Sequence, residues 1–173
     1  MSEPAGGTWA SGRGALRMSR RVMNLAYLLT QNARRHGDRI GFVWGDRAWS
    51  WREIDSEVSA LAAALAARGI AKGDRILVHS RNGEELFWSM FAAFRLGAVW
   101  VPTNFRLMPD EVAYLATASG AKAFLCHGEF PDHAATVKSP ALAFVWRIGE
   151  VVGHDKSHLA MRQYRGLGAA GGA

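Results

Sequence analysis

Asp74, His79 and Ser80 are the residue types that supply an orienting acid, a base and a nucleophile. A catalytic triad is defined by geometry and by an exposed, strained nucleophile, and the apolar run Arg75 to Ser80 shows neither. These three therefore read as strand and strand-end residues. His127, His133, His154 and His158 gather late in the chain, and His154 with His158 is an i, i+4 pair that one helical face could offer to a metal. That pair lacks a Glu at its second position and a third ligand, so solvated histidines are expected. Cys126 is the only cysteine, which excludes an intrachain disulfide and a cysteine-based zinc site. It reads as a small core residue ending a strand. Trp44, Trp49, Trp51, Trp88 and Trp100 read as core or hairpin packing. There is no Gly-x-x-x-x-Gly-Lys-Ser/Thr loop and no Gly-x-Gly-x-x-Gly following an expected strand, so a nucleotide site would lack its usual backbone cradle.

The elements that must position any such chemistry are punctuated as an α/β domain from Asn24 onward. Asn24 can cap a helix with Leu25, Leu28 and Leu29 on one face, ended by Gly37 in the left-handed conformation. Strands Ile40 to Trp44 and Arg47 to Ser50 are joined by a Gly45-Asp46 hairpin turn. Ser50-Trp51-Arg52-Glu53 is a capping box, followed by Ile54, Val58, Leu61 and Leu65 at helical spacing and by Gly69 as a stop. Short apolar runs at Arg75 to Ser80, Ala98 to Pro102 and Lys122 to Cys126 alternate with helical segments at Glu84 to Leu96, capped by Asn82, and Asp110 to Ser119. A further strand is expected at Leu142 to Ile148. Alternation of strand and helix gives parallel pairing through right-handed crossovers. Continuous apolar runs such as Ile76-Leu77-Val78 and Ala98-Val99-Trp100-Val101 are the mark of strands buried on both faces. The expectation is a layered parallel sheet with flanking helices. Ligands of such sheets lie outside the carboxyl ends of the strands, here the loops Arg81-Asn82-Gly83, Thr103-Asn104-Phe105-Arg106 and His127-Gly128.

The chain has 173 residues, 49% of them hydrophobic, enough for one ordinary core with loose ends. Its formal charge of +6 would suggest a nucleic-acid partner if it covered a folded face. Residues 1–24 instead carry +3 and residues 151–173 carry +2, leaving +1 for the remainder. The excess sits in Gly- and Ala-rich termini without interleaved aromatics, so no nucleic-acid partner is expected. Apolar stretches are short and broken by charges such as Glu85 and Arg95, so no membrane span is expected, and the cytoplasm is the default location. The Arg-rich start is read as a flexible basic segment over residues 1–23, with Met18 or Met23 as the expected true start. Residues 151–173 show no clear periodicity and end in a Gly/Ala tract, so they read as an atypical, disordered tail.

Trp49-Ser50-Trp51-Arg52-Glu53-Ile54 and Arg68-Gly69-Ile70-Ala71-Lys72-Gly73-Asp74-Arg75-Ile76 resemble the opening of the adenylate-forming superfamily of acyl- and aryl-CoA synthetases, luciferases and peptide-synthetase adenylation domains. Arg95-Leu96-Gly97-Ala98-Val99-Trp100-Val101-Pro102-Thr103-Asn104-Phe105-Arg106-Leu107 is similar to the family segment in which Gly-Ala-Val and Pro lead into Asn-x-Arg-Leu. Glu111 then opens a helix like the one that precedes the family's next strand, here Ala121 to Leu125. The series covers residues 24–148, and its Pro-x-Asn-x-Arg-Leu form resembles the acid-CoA ligases more than the peptide-synthetase domains.

The resemblance implies the N-terminal subdomain of the AMP-dependent synthetase/ligase fold over residues 24–150. It implies a parent enzyme that uses ATP, Mg²⁺ and coenzyme A to turn a carboxylic acid, fatty or aryl, into its CoA thioester through an acyl-adenylate. It also implies that Arg106 lies near a coenzyme A phosphate, for which a forked guanidinium is suited. Alternatively Arg106 caps or pairs at the surface with Asp110 or Glu111. The family's Ser/Thr-Gly-rich loop, Tyr/Thr-Thr-Glu segment, ribose-binding Asp, hinge and lid lysine do not occur in this sequence. The chain is therefore expected to be inactive alone and to bind none of the cofactors tightly, a frameshift or premature stop near Val151 being the expected cause. A sheet surface left uncovered would favour self-association or pairing with a related synthetase chain.

Overall fold

Ser50 starts the longest helix with both halves of its capping box in place: the Ser50 hydroxyl accepts from the Glu53 N–H, and the Glu53 carboxylate accepts from the Ser50 N–H at 2.7 Å. The computed structural model describes residues 24–149 and 162–163. In chain order its elements are α1 (Ala26–His36), β1 (Ile40–Trp44), β2 (Arg47–Ser50), α2 (Trp51–Ala67), β3 (Arg75–His79), α3 (Glu84–Leu96), β4 (Val99–Pro102), α4 (Pro109–Ser119), β5 (Ala123–His127), α5 (Pro131–Thr136), β6 (Phe144–Ile148) and β7 (Arg162–Gln163).

Strands β1 and β2 form the expected hairpin, with Gly45 at a φ of +58° in its turn. The main sheet runs in the order β4-β3-β5-β6-β7. Its first four strands are parallel, and β7 joins antiparallel through Trp146 opposite Gln163. The short β7 lies in the segment read from sequence as unstructured tail. The rest of that segment, the N-terminal 23 residues and the His154/His158 pair lie outside the described residues.

Alternate side chains of the sheet feed two cores, as a strand's period of two requires. Ile76, Val78, Leu125, Trp146 and Ile148 face Leu29, Ile54, Val58, Leu61, Leu65, Trp88 and Ala92 of α1, α2 and α3. Leu77, Phe124, Cys126 and Val145 face Val112, Ala116 and Ala134 of α4 and α5. The helices thus cover both faces, and Arg95 ties three of them together on one side by meeting Asp55 at 2.6 Å and also reaching Ser59 and Thr30.

Five local expectations are corrected. Leu25 and Leu28 are 56% and 61% exposed, and only Ala26 and Leu29 of that stretch are buried. Gly37 keeps a right-handed φ of −46°, so the chain leaves α1 without a left-handed cap. The residue at the start of α3 is Gly83, with no side-chain cap from Asn82. β4 is an edge strand with Val99 47% exposed, although its apolar run read as buried on both faces. Apolar runs are also what an edge strand needs when one face lies on a helix and a partner sits on one side only. Finally, α5 was not anticipated: it has six residues, too short for periodicity to speak.

Candidate functional site

The carboxyl ends of β3, β4 and β5 open onto three loops, at 80–83, 103–108 and 128–130, which are the loops that strand direction singles out. Arg81 joins them. Its Nε donates to Glu129 Oε2 at 3.1 Å, and its guanidinium carbon lies 5.0 Å from the centroid of the Phe105 ring. Arg106 uses the same ring at 5.5 Å. Two guanidinia thus share one aromatic ring, with Glu129 between the loops; each cation–π contact at an exposed site contributes about 0.5–1 kcal/mol.

Arg106 is exposed and enters no ion pair among the described residues. The surface pairing with Asp110 or Glu111 is therefore not formed, and Glu111 Oε2 instead accepts from the Met108 N–H at 2.7 Å at the start of α4. The backbone around Arg106 is held locally: its N–H donates to Asn104 Oδ1 at 3.0 Å, and the Leu107 N–H donates to the Asn104 carbonyl at 3.1 Å.

Beneath these loops sits a pair of imidazoles. His79, fully buried at the end of β3, lies 4.2 Å from His133 of α5, with ring planes 19° apart, and Phe130 meets it edge-on. Thr103 Oγ1 donates its one proton to the Val78 carbonyl at 3.1 Å, so it accepts from His79 Nδ1 at 2.7 Å. His79 Nε2 is then a bare acceptor, buried and without a partner. His133 Nε2 faces the Leu107 carbonyl at 2.8 Å, so that nitrogen carries the proton. Burial, and secondly the neighbouring His133, push the His79 pKa down to about 4. His127 is also lowered by burial, against the pull of Glu129 and Glu84.

The other sequence candidates are dispersed. Ser80 Oγ donates to the Arg81 carbonyl, and Asp74 lies before the amino end of β3, where Lys122 Nζ at 2.8 Å and the Ala71 N–H hold its carboxyl below the usual range. With His79 turned to Thr103, no triad exists. Cys126 is buried, its thiol pushed up to about 12 by burial, so the core reading holds. Trp88 and Trp49 are core residues, while Trp44 is 46% exposed on the hairpin. Among the described residues no group of three or more His, Cys, Asp or Glu could hold a metal, and no helix is long and apolar enough to cross a membrane. A cavity of about 430 Å³ among Asn24, Thr30, Arg34, Asp55 and Arg95 shares no residue with the carboxyl-edge loops. Glu129 and Phe130 escaped the sequence reading, which named His133 only as one of four late histidines. The signal available for them was Pro131 followed by Asp132, a first-turn pattern on a helix too short to notice.

The AMP-binding enzyme family matches residues 29–160, beyond Ile148 where the residue-by-residue resemblance stops. A 2,3-dihydroxybenzoate-AMP ligase from Bacillus subtilis is 37% identical over 98 residues, covering 57% of this chain and 18% of that protein. A crotonobetaine/carnitine–CoA ligase from Salmonella paratyphi B is 28% identical over 153 residues, covering 78% and 30%. The crystal structure of coronafacic acid ligase from Pectobacterium brasiliense superposes with a TM-score of 0.69 at 26% identity, over 73% of this chain and 26% of that one. The chain spans about a fifth of the length of the relatives it matches. The parallel sheet, its two helical layers and the family match over 29–160 agree: this chain belongs to the AMP-binding enzyme family of adenylate-forming ligases, and its fold is that of their N-terminal subdomain.

Proposed function

We propose that this chain supplies the N-terminal portion of an ATP-dependent acid-CoA ligase and does not activate a carboxylic acid by itself. The observation that carries the reading is the AMP-binding match over residues 29–160 on a parallel sheet with helices on both faces. In such a ligase a carboxylate oxygen attacks the α-phosphorus of ATP and releases pyrophosphate, and the coenzyme A thiol then displaces AMP from the acyl-adenylate. Mg²⁺ and basic groups neutralise the phosphates during the first step. The inactivity of the chain alone is supported by its sequence, which contains none of the Ser/Thr-Gly-rich, Tyr/Thr-Thr-Glu or lid-lysine motifs.

Within this reading Arg106 is the contact to a coenzyme A phosphate. Support comes from its exposure, its place beyond a parallel strand and the lack of any ion pair to it among the described residues. An unpaired guanidinium offers both arms of its fork to phosphate oxygens without first breaking a salt bridge. The test is ATP–pyrophosphate exchange by the purified chain with a panel of fatty and aryl acids. No exchange is expected above the no-acid control, and acid-dependent exchange would overturn the inactive part of the reading.

A second reading, pairing with a related synthetase chain, is favoured by Ile40, Val43, Trp44, Val99, Met108 and Tyr114, all large apolar residues 46–71% exposed. Sedimentation of the chain with and without an intact acid-CoA ligase measures it directly. Two independently sedimenting monomers would end it.

A further inference from the structure

We infer that His79 and His133 are positioning residues, two stacked imidazoles that clamp both ends of the 103–107 loop and thereby set where Arg106 stands. The loop leaves β4 at Thr103 and reaches α4 after Leu107. His79 donates to the Thr103 hydroxyl at its first residue, and His133 donates to the Leu107 carbonyl at its last. Between those points its two internal bonds both end on Asn104, one on the side chain and one on the carbonyl. The two clamping rings come from separate elements, β3 and α5, and lie face to face at 4.2 Å. Phe130 closes edge-on against each of them, at 4.5 and 5.4 Å.

The chemistry asks for an N–H donor at both places. An aliphatic residue at 79 could fill the buried space but could not donate to Thr103, whose own proton is spent on Val78. An aliphatic residue at 133 would leave the Leu107 carbonyl without its donor. Each ring gives one proton to the loop, and the two rings lie face to face between its ends. The clamp stands on geometry alone; that it positions Arg106 for a phosphate rests on the function proposed above.

The test uses the full chain, isotope-labelled, with His133→Ala and His133→Gln. Gln keeps a donor near the place of Nε2 and serves as the conservative rescue. Amide exchange at Arg106 and Leu107 should rise about 5-fold in His133→Ala, in line with loss of one neutral hydrogen bond, and return to within about 2-fold of the parent in His133→Gln. Exchange at Leu125, in the core, should stay unchanged and marks any global loosening. Imidazole nitrogen shifts should show His79 protonated on Nδ1 and His133 on Nε2. Unchanged loop exchange in His133→Ala, or the opposite tautomers, overturns the clamp. Saturation transfer from coenzyme A, compared between parent, Arg106→Ala and His133→Ala, reads the second half. A signal lost in Arg106→Ala and weakened in His133→Ala supports positioning. A signal that none of the substitutions moves removes the phosphate role of Arg106 while the exchange result still decides the clamp.

Discussion

Acidification should unfold this chain through one residue more than any other. His79 is fully buried, its Nε2 has no acceptor within reach, and its pKa is held at about 4 against an ordinary 6.5. A base whose folded pKa is depressed leaves the native chain with fewer bound protons than the unfolded one. Its contribution is therefore complete above the unfolded value and is lost as pH falls through the folded value. Integrating between those two values gives a loss of about 2 kcal/mol on going from about pH 7.5 to about pH 5, and about 3 kcal/mol once both states are protonated. The assay is urea unfolding of the parent and of His79→Asn at both pH values. Asn keeps a donor for Thr103 and cannot take a proton, so the difference between the two proteins isolates His79; His127, also lowered, is common to both and cancels. The parent's advantage over His79→Asn should shrink by about 2 kcal/mol between the two pH values. A difference that stays constant to within about 0.5 kcal/mol would refute the buried, unpartnered nitrogen as its cause.

Ser50→Ala removes the hydroxyl that accepts from Glu53 and should cost about 1 kcal/mol in urea melts, with Ser50→Thr recovering most of it. Gly149→Ala should be among the most damaging substitutions in the chain, because Gly149 has a φ of +72° and a Cβ there would run into the His127 ring; its thermal midpoint measured against Gly45→Ala, which meets open space at φ +58°, separates the clash from the backbone strain. Cys126, buried with its thiol raised to about 12, should react with an aromatic disulfide at near-neutral pH only as fast as the chain opens, so its rate should climb with urea while a surface cysteine introduced at Ser59 reacts at once.

Where the sequence was legible, several local signals agreed. The Ser50/Glu53 box, the Gly45-Asp46 turn and the Ile54-Val58-Leu61-Leu65 stripe each pointed to one structure, and hairpin, helix and cap all stand where they were read. The parallel sheet followed from alternation of runs and helices, and strand polarity alone named the three loops that Arg81 and Phe105 bring together. Misreadings arose where one sequence pattern serves two environments. The Val99-Trp100-Val101 run suits a central strand or an edge strand backed by a helix, and only the strand order decides between them. Leu25 and Leu28 looked like a buried face because leucine is the commonest core residue, yet Ala26 turns inward there. The histidine clamp was illegible for a different reason: His79, Thr103, Leu107 and His133 are separated in sequence and meet only through β3, β4 and α5.

That separation bears on which part of the site can be tested in this chain. The helical layers cover both faces of the sheet, and its carboxyl edge is a place where polar side chains gather without being buried in a core. The edge carries donors: Arg81 is committed to Glu129, whereas Arg106 has only the Phe105 ring. A phosphate arriving there would displace no salt bridge from Arg106 but would compete with Glu129 for Arg81. Glu129→Gln should therefore strengthen any anion binding at this edge by freeing the second guanidinium, and Arg106→Ala should weaken it whether or not Glu129 is changed. Titration with coenzyme A and with inorganic phosphate, across a salt series, measures both effects. Equal affinities in the parent and Glu129→Gln would mean that Arg81 serves only to join the loops.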